Sequence, residues 1–229
     1  DLLSLTNTRW IITDKTGDAW VDNVFYDLGL AVNVTPDQPL AIGRLPNFQA
    51  TALGLVLAED SIGGEAHITF ADGSTAAIRF AWERVVPAIR LHFDKPSTIT
   101  ALTITTDTAL TVRGASLIDE RADAFQSLTL GPYRLAHSGD VKIYENLNVL
   151  PRAFVTTNLA NSSPSFIIHH SSFIIKYQAE RVIIQTTTDA PGYLILTDEY
   201  YPGWIATLDS RPAEITRAYG LFRAVALPA

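Results

Sequence analysis

The chain has 229 residues, 47% of them hydrophobic and 18% charged, with a formal net charge of -7. That apolar content is ample for one or two cores and excludes disorder, while an acidic balance without any Lys/Arg cluster excludes a nucleic-acid-binding surface. Cysteine is absent, which rules out disulfides, thiolate metal sites and cysteine nucleophiles; methionine is absent even at position 1, so the chain reads as a processed or excised piece of something longer.

No stretch reaches the about 18 apolar residues needed to span a bilayer, and no signal peptide opens the chain. The start, LLSLTNTRWIITD, predicts a helical turn followed by a strand over Arg9 to Thr13. The middle reads as short β runs broken by turn residues. In EAHITFADGSTAAIRFAW the pair Asp72-Gly73 marks a hairpin, in AIRLHFDKPSTITALTITT the triplet Lys95-Pro96-Ser97 separates two strands, and Leu110 to Ile118 supplies another. The acidic, alanine-containing DERADAFQSL, Asp119 to Leu128, is expected to be a short helix or a linker at a domain border.

From Val141, VKIYENLNVLPRAFVTT predicts a strand, a loop ended by Leu150-Pro151 and a second strand. Ser165 to Ser171 (SFIIHHS) repeats as Ser172 to Gln178 (SFIIKYQ), and the β-branched pairs and serines favour extended structure over a coiled coil. Tyr193 to Leu227 alternates regularly as a β meander, with Pro202-Gly203 suited to a type II turn. There Trp204, Ala206 and Leu208 are expected on one buried face, and Tyr200 and Tyr201 on opposite faces. The resulting fold class is all-β, with two β-sandwich or jelly-roll-like domains, the first inserted into the second: 16–126 as the insert, and 1–15 with 127–229 as the domain that receives it.

Chemistry leaves few marks. Signatures of a nucleophile elbow, a Walker loop, a dinucleotide fold or a zinc protease are missing. His169 and His170, adjacent on an extended chain, point to opposite faces and do not chelate together. Asp14, Asp18, Asp22 and Asp27 lack the ligand spacing of a calcium loop, so neither metal nor cofactor is expected. Asp198 and Glu199 are neighbours and diverge, unlike a glycosidase pair; Asp198 is expected to cap its turn or pair with Arg223 or Arg217. For a sugar platform the aromatic candidates are Trp20, Tyr26, Trp82, Tyr200 and Tyr201, with Phe25 beside them.

The string DEYYPGWIATLD, followed by TRAYGLFRAVALPA, closely resembles the carboxyl-terminal extracytoplasmic segment of the YfhO family of multi-spanning bacterial membrane proteins. Asp198, Tyr200, Tyr201, Pro202, Gly203, Trp204, Asp209, Phe222 and Arg223 match its pattern by position. VKIYENLNVLPRAF is similar to a second signature through Tyr144, Glu145, Asn146, Leu150, Pro151, Arg152, Ala153 and Phe154, and LLSLTNTRWIIT to the stretch with which such soluble portions begin. Ser210 stands where the family has glycine, which implies a different turn, and the chain stops before the family's closing Gly-x-His strand. The middle third carries no family motif; its hairpins look like a galactose-binding jelly roll by architecture alone.

The resemblance implies a place on the extracytoplasmic face of the bacterial membrane, beside the protein's own transmembrane domain. It also implies glycosyltransferase chemistry carried by membrane loops outside this chain. The chain itself is then expected to be non-catalytic, recognising or positioning a glycan or lipid-linked acceptor, or else serving as a structural docking module for the membrane domain or a cell-surface partner.

Overall fold

Segments in which apolar and polar residues alternate pair into antiparallel sheets because one face of each strand is buried while the other meets water. The structure, a computed structural model, describes every residue except 1, 16, 59–62, 82–87, 160–166, 169–171 and 229. It is all-β, with a single four-residue helix among the described residues. Contacts divide the chain into two units, Trp10–Leu147 and Asp1–Arg9 with Asn148–Ala229. Segments 10–15 and 127–147, read from the sequence as companions of the carboxyl-terminal part, thus fall in the unit Trp10–Leu147.

That unit carries β1 (Trp10–Thr13), β2 (Ala19–Val21), β3 (Val24–Tyr26), β4 (Val32–Val34), β5 (Leu40–Ala41), β6 (Gln49–Leu57), β7 (Gly63–Phe70), β8 (Thr75–Ala81), β9 (Ile89–Thr105), β10 (Leu110–Asp119), β11 (Ala124–Leu128), β12 (Tyr133–Ser138) and β13 (Lys142–Asn146). Its main sheet has the order β11-β10-β6-β9-β7-β8, with β4 added on β10 and β5 on β9. The first half of β9 pairs with β6 and the second with β7, so one long strand joins two layers, and Leu53, Leu55 and Leu117 from one layer share a core with Ala66, Ile68 and Ile104 from the other. Each buried Leu or Ile there contributes about 1.5 to 3 kcal/mol.

Two expectations are corrected here. Lys95-Pro96-Ser97 does not end a strand: β9 runs through it, and Pro96 sits where the β6–β9 register shifts between Ala50 and Ala52, a place where no ladder N–H is needed. Asp119 to Leu128 is neither helix nor linker. It is the end of β10, a turn with Asp123 at φ 48, and β11, because pairing Ala115–Asp119 against Ala124–Leu128 overrides the helical composition. On the outer face of β6 and β10 the β2–β3 hairpin buries Val24 and Tyr26 against Ala52, Val56 and Ile118. A separate three-stranded sheet, β1-β13-β12, places Trp10 opposite Glu145 and Thr13 opposite Lys142.

The other unit carries α1 (Leu2–Leu5), β14 (Ala153–Thr156), β15 (Ile167–Ile168), β16 (Phe173–Gln178), β17 (Arg181–Gln185), β18 (Gly192–Glu199), β19 (Ala206–Leu208), β20 (Arg211–Ala213), β21 (Ile215–Ala218) and β22 (Phe222–Leu227). Its sheet has the order β15-β14-β18-β22-β21, with β16–β17 and β19–β20 as separate hairpins. One sheet face packs Phe154, Ile195, Phe222 and Ala224 with Leu5 of α1. The Leu150 N–H donates to the Ser4 carbonyl at 3.1 Å, and Asn7 Nδ2 donates to the Leu150 carbonyl at 2.6 Å, tying the amino terminus to this core.

Gly203 takes φ 101 after Pro202, as a type II turn requires. Asp209 (φ 48) and Ser210 (φ 67) form the two-residue loop between β19 and β20, with positive φ at both positions. That is the type I′ geometry an Asp-Gly pair would adopt, so the serine does not change the turn; it occupies it at a steric cost. Trp204 is also corrected: it precedes β19, is only partly buried and lies outside the hydrophobic cores, because β19 belongs to a two-stranded ribbon with no second layer of its own.

Candidate functional site

Asp198 gathers the two motif-bearing regions of the carboxyl-terminal unit. The β18–β22 register shifts between Leu196 and Glu199, and Asp198 stands in that irregularity, where its carboxylate is turned away from the regular ladder. Arg223 Nη2 donates to Asp198 Oδ2 at 2.6 Å, and Arg152 Nη2 donates to Oδ1 at 2.8 Å. Tyr177 of β16 donates its hydroxyl to the same carboxylate at 3.0 Å and accepts from Arg152 at 2.5 Å. Asp198 raises the pKa of Arg152, and that of the Tyr177 phenol is raised by lost hydration and then by Asp198.

Each arginine of this region also lies over an aromatic ring: Arg152 over Tyr177 at 4.3 Å, Arg223 over Trp204 at 4.2 Å and Arg217 over Tyr200 at 4.8 Å. Of the two partners expected for Asp198, Arg223 is present and Arg217 is replaced by Arg152. The expectation missed Tyr177, whose only sequence signal is membership of the Ser172 to Gln178 repeat. Pro151 sits just ahead of Arg152 and is exposed, and Pro202-Gly203 makes the turn that brings Trp204 back over Arg223.

The motif residues Tyr144, Glu145 and Asn146 lie in the other unit, on β13, and are buried. Tyr144 donates to Asp27 Oδ1 at 2.6 Å, Lys142 Nζ donates to the same oxygen at 2.7 Å, and Lys142 also pairs with Asp18. Lys142 is 1% exposed. Burial, then the hydrogen bond to Asp27, pushes the Tyr144 phenol well above its ordinary value. Asp18 and Asp27, two of the four aspartates without calcium-loop spacing, therefore bind their segment to β13; Glu145 pairs with Arg134 on β12. This network is fully engaged with itself and reads as a structural latch. Among the described residues no group of three or more His, Asp or Glu stands together as a metal cluster.

The aromatic candidates separate by exposure. Tyr26 is 0% exposed, a core residue whose ring packs beside Gly54, and is corrected from the platform set. Trp82 lies outside the described residues, as do His169 and His170. Tyr200 is half-buried under Arg217, and Tyr201 is exposed. Trp20 is 67% exposed yet anchored by ring contacts, 5.6 Å to Phe25 and 5.4 Å edge-on to Phe125. Its hairpin turns at Asp22-Asn23, both at positive φ, where Arg90 donates to the Asp22 carbonyl at 3.0 Å and to Glu120 at 3.3 Å. His92 lies 3.2 Å from Glu120, and that hydrogen bond is the main cause of Glu120's lowered pKa. An open cleft lined by Arg44, Pro46, Gln126, Tyr133 and Arg134 coincides with none of the sequence candidates.

No protein-family model matches the chain, and no curated protein matches it. A solved structure of the arabinofuranosyltransferase AftD from Mycobacteria aligns with 96% of this chain and 23% of its own, at 11% identity and a TM-score of 0.30. The chain thus spans less than a quarter of that protein's length, and an overlap so loose establishes neither a shared fold nor a shared role. No helix among the described residues is long and apolar enough to cross a membrane.

Proposed function

We propose that the chain is a non-catalytic extracytoplasmic domain of a YfhO-like membrane glycosyltransferase, and that it recognises a glycan or lipid-linked acceptor through the Trp20 platform. The observation that carries this reading is a tryptophan 67% exposed and fixed by Phe25 and Phe125, on a hairpin whose turn at Asp22 is held by Arg90. A rigid open ring stacks on the apolar face of a pyranose, and fixed donors and acceptors around it select among hydroxyls. The motif residues Arg152, Asp198, Trp204 and Arg223 support the family resemblance in a second way, by meeting in one cluster.

Glycan-array screening of the 229-residue chain tests the reading. Binding to a defined glycan set is expected, lost in Trp20→Ala with an unchanged melting temperature; an array on which the parent and Trp20→Ala give the same signals overturns it. Incubation with polyprenyl-phosphate sugars and aryl glycosides is expected to give no turnover, and turnover abolished by Asp198→Asn would make the chain an enzyme. A docking module is the second reading, favoured by Ile205, 90% exposed, beside exposed Tyr201. It would be supported if Ile205→Ser, and not Trp20→Ala, weakened association with the membrane portion.

A further inference from the structure

The chain is acidic overall, yet in the carboxyl-terminal unit two guanidinium groups, Arg152 and Arg223, meet on the Asp198 carboxylate, and a third, Arg217, stands across the strand from Arg223. Arg217 and Arg223 are direct cross-strand partners on β21 and β22, on the sheet face opposite Phe222 and Ala218. Like charges placed directly opposite one another destabilise a sheet. Asp198 answers Arg223 and Arg152, and among the described residues no carboxylate pairs with Arg217. Glu199 does not fill that role, since its register partner is Phe222 and it therefore belongs to the other face. Arg217 is left without a paired carboxylate among the described residues, and the Arg223 Nε, buried, has no hydrogen-bond partner.

Stacking on Tyr177, Trp204 and Tyr200 holds the three guanidinium groups; Arg152 Nε and Nη2 and Arg223 Nη2 already donate to Asp198, so the donors left for a ligand are those of Arg217 and the outer Nη1 groups of Arg152 and Arg223. Arg152 and Arg217 are exposed and can meet a solute. We infer that Arg152, Arg217 and Arg223 form a site for a phosphate ester group. The Asp198 carboxylate already occupies donors of Arg152 and Arg223; a phosphate presents oxygens in several directions and carries negative charge for the remaining donors. The group can arrive on a sugar or polyol phosphate or in a phospholipid headgroup. The site lies apart from Trp20 in sequence and unit, and it stands whether or not Trp20 binds a glycan.

The test titrates the 229-residue chain with glycerol 3-phosphate by calorimetry and NMR, and sediments it with phosphatidylcholine vesicles with and without about one-fifth phosphatidylglycerol. Arg217→Gln and Arg152→Gln are the site variants; both side chains are exposed enough that melting temperature checks the fold. Arg211→Gln, an exposed arginine on β20, is the control. Saturable binding in the millimolar range or tighter is expected, weakened roughly tenfold by each site variant, unchanged by the control and reduced by added salt. Binding of the soluble ester identifies a sugar or polyol phosphate as the source, and binding confined to the anionic vesicles identifies the headgroup. No saturable binding to either up to about 10 mM, or equal weakening by Arg211→Gln, overturns the proposal.

Discussion

Asp198 and Arg223 meet at 2.6 Å with side chains only 9% and 10% exposed, although 25 residues separate them. Removing the acid strands a buried cation, which is far more costly than exchanging the pair for apolar groups. Asp198→Ala is expected to lose about 3 to 5 kcal/mol in urea unfolding, and Asp198→Leu combined with Arg223→Met to recover much of that. Equal midpoints for Asp198→Ala and the parent would remove the pair from the stability of the fold.

Lys142 is the sole cation facing Asp18 and Asp27 among the described residues. Lys142→Met leaves two carboxylates close together in a poorly hydrated place and is expected to cost about 3 to 5 kcal/mol. The midpoint of chemical denaturation checks it; a shift within the error of the parent would mean that water reaches the acids freely.

Tyr144 gives a pH dependence with a definite sign. Its phenol is held protonated in the folded chain, above the ordinary value of 10.0, so below that pH the folded and unfolded states bind the same proton and its stabilisation is fully present. As pH rises past 10.0 the unfolded state releases the proton first and stability falls. Tyr144→Phe is expected to cost about 1 to 3 kcal/mol at neutral pH through the lost bond to Asp27, and to flatten the alkaline decline. Urea midpoints taken from neutral to strongly alkaline pH measure both effects, and an alkaline limb as steep as the parent's would contradict the assignment.

Ser210 occupies a left-handed position at φ 67 that glycine enters freely. Ser210→Gly is expected to stabilise the chain by about 1 kcal/mol, raising its melting temperature by about 2 to 4 °C. A lower melting temperature would show that the serine hydroxyl contributes more than the backbone strain removes.

What could be read from the sequence is what short-range chemistry decides. Asp72-Gly73 marked its hairpin because Gly73 takes φ 82 there, and Leu150-Pro151 marked the end of its loop. Lys95-Pro96-Ser97 misled because proline also suits an irregularity inside a continuous strand, and Asp119 to Leu128 because pairing with β10 outweighed local helical preference. Arg152, Asp198 and Arg223 were each visible as motif residues, but spans of 46 and 25 residues hid their convergence. Lys142 carried no signal, since its partners lie 124 and 115 residues upstream. Trp20 and Tyr26 looked alike as aromatic candidates and differ only because the hairpin turns one ring into β6 and the other out to water.

The β1–β13 pairing has a bearing on how the chain is made. Asn7 leaves the ribosome 143 residues ahead of Leu150 and waits for it before its hydrogen bond can form. Closing so long an open chain carries an entropic penalty that grows with the logarithm of its length. Once Trp10–Leu147 has folded, Trp10 already lies across from Glu145, and the separation to be closed shrinks to a few residues at either end. The relief is roughly 2 to 3 kcal/mol, and it makes the intervening unit a tether that delivers residues 1–9 to strands synthesised after it.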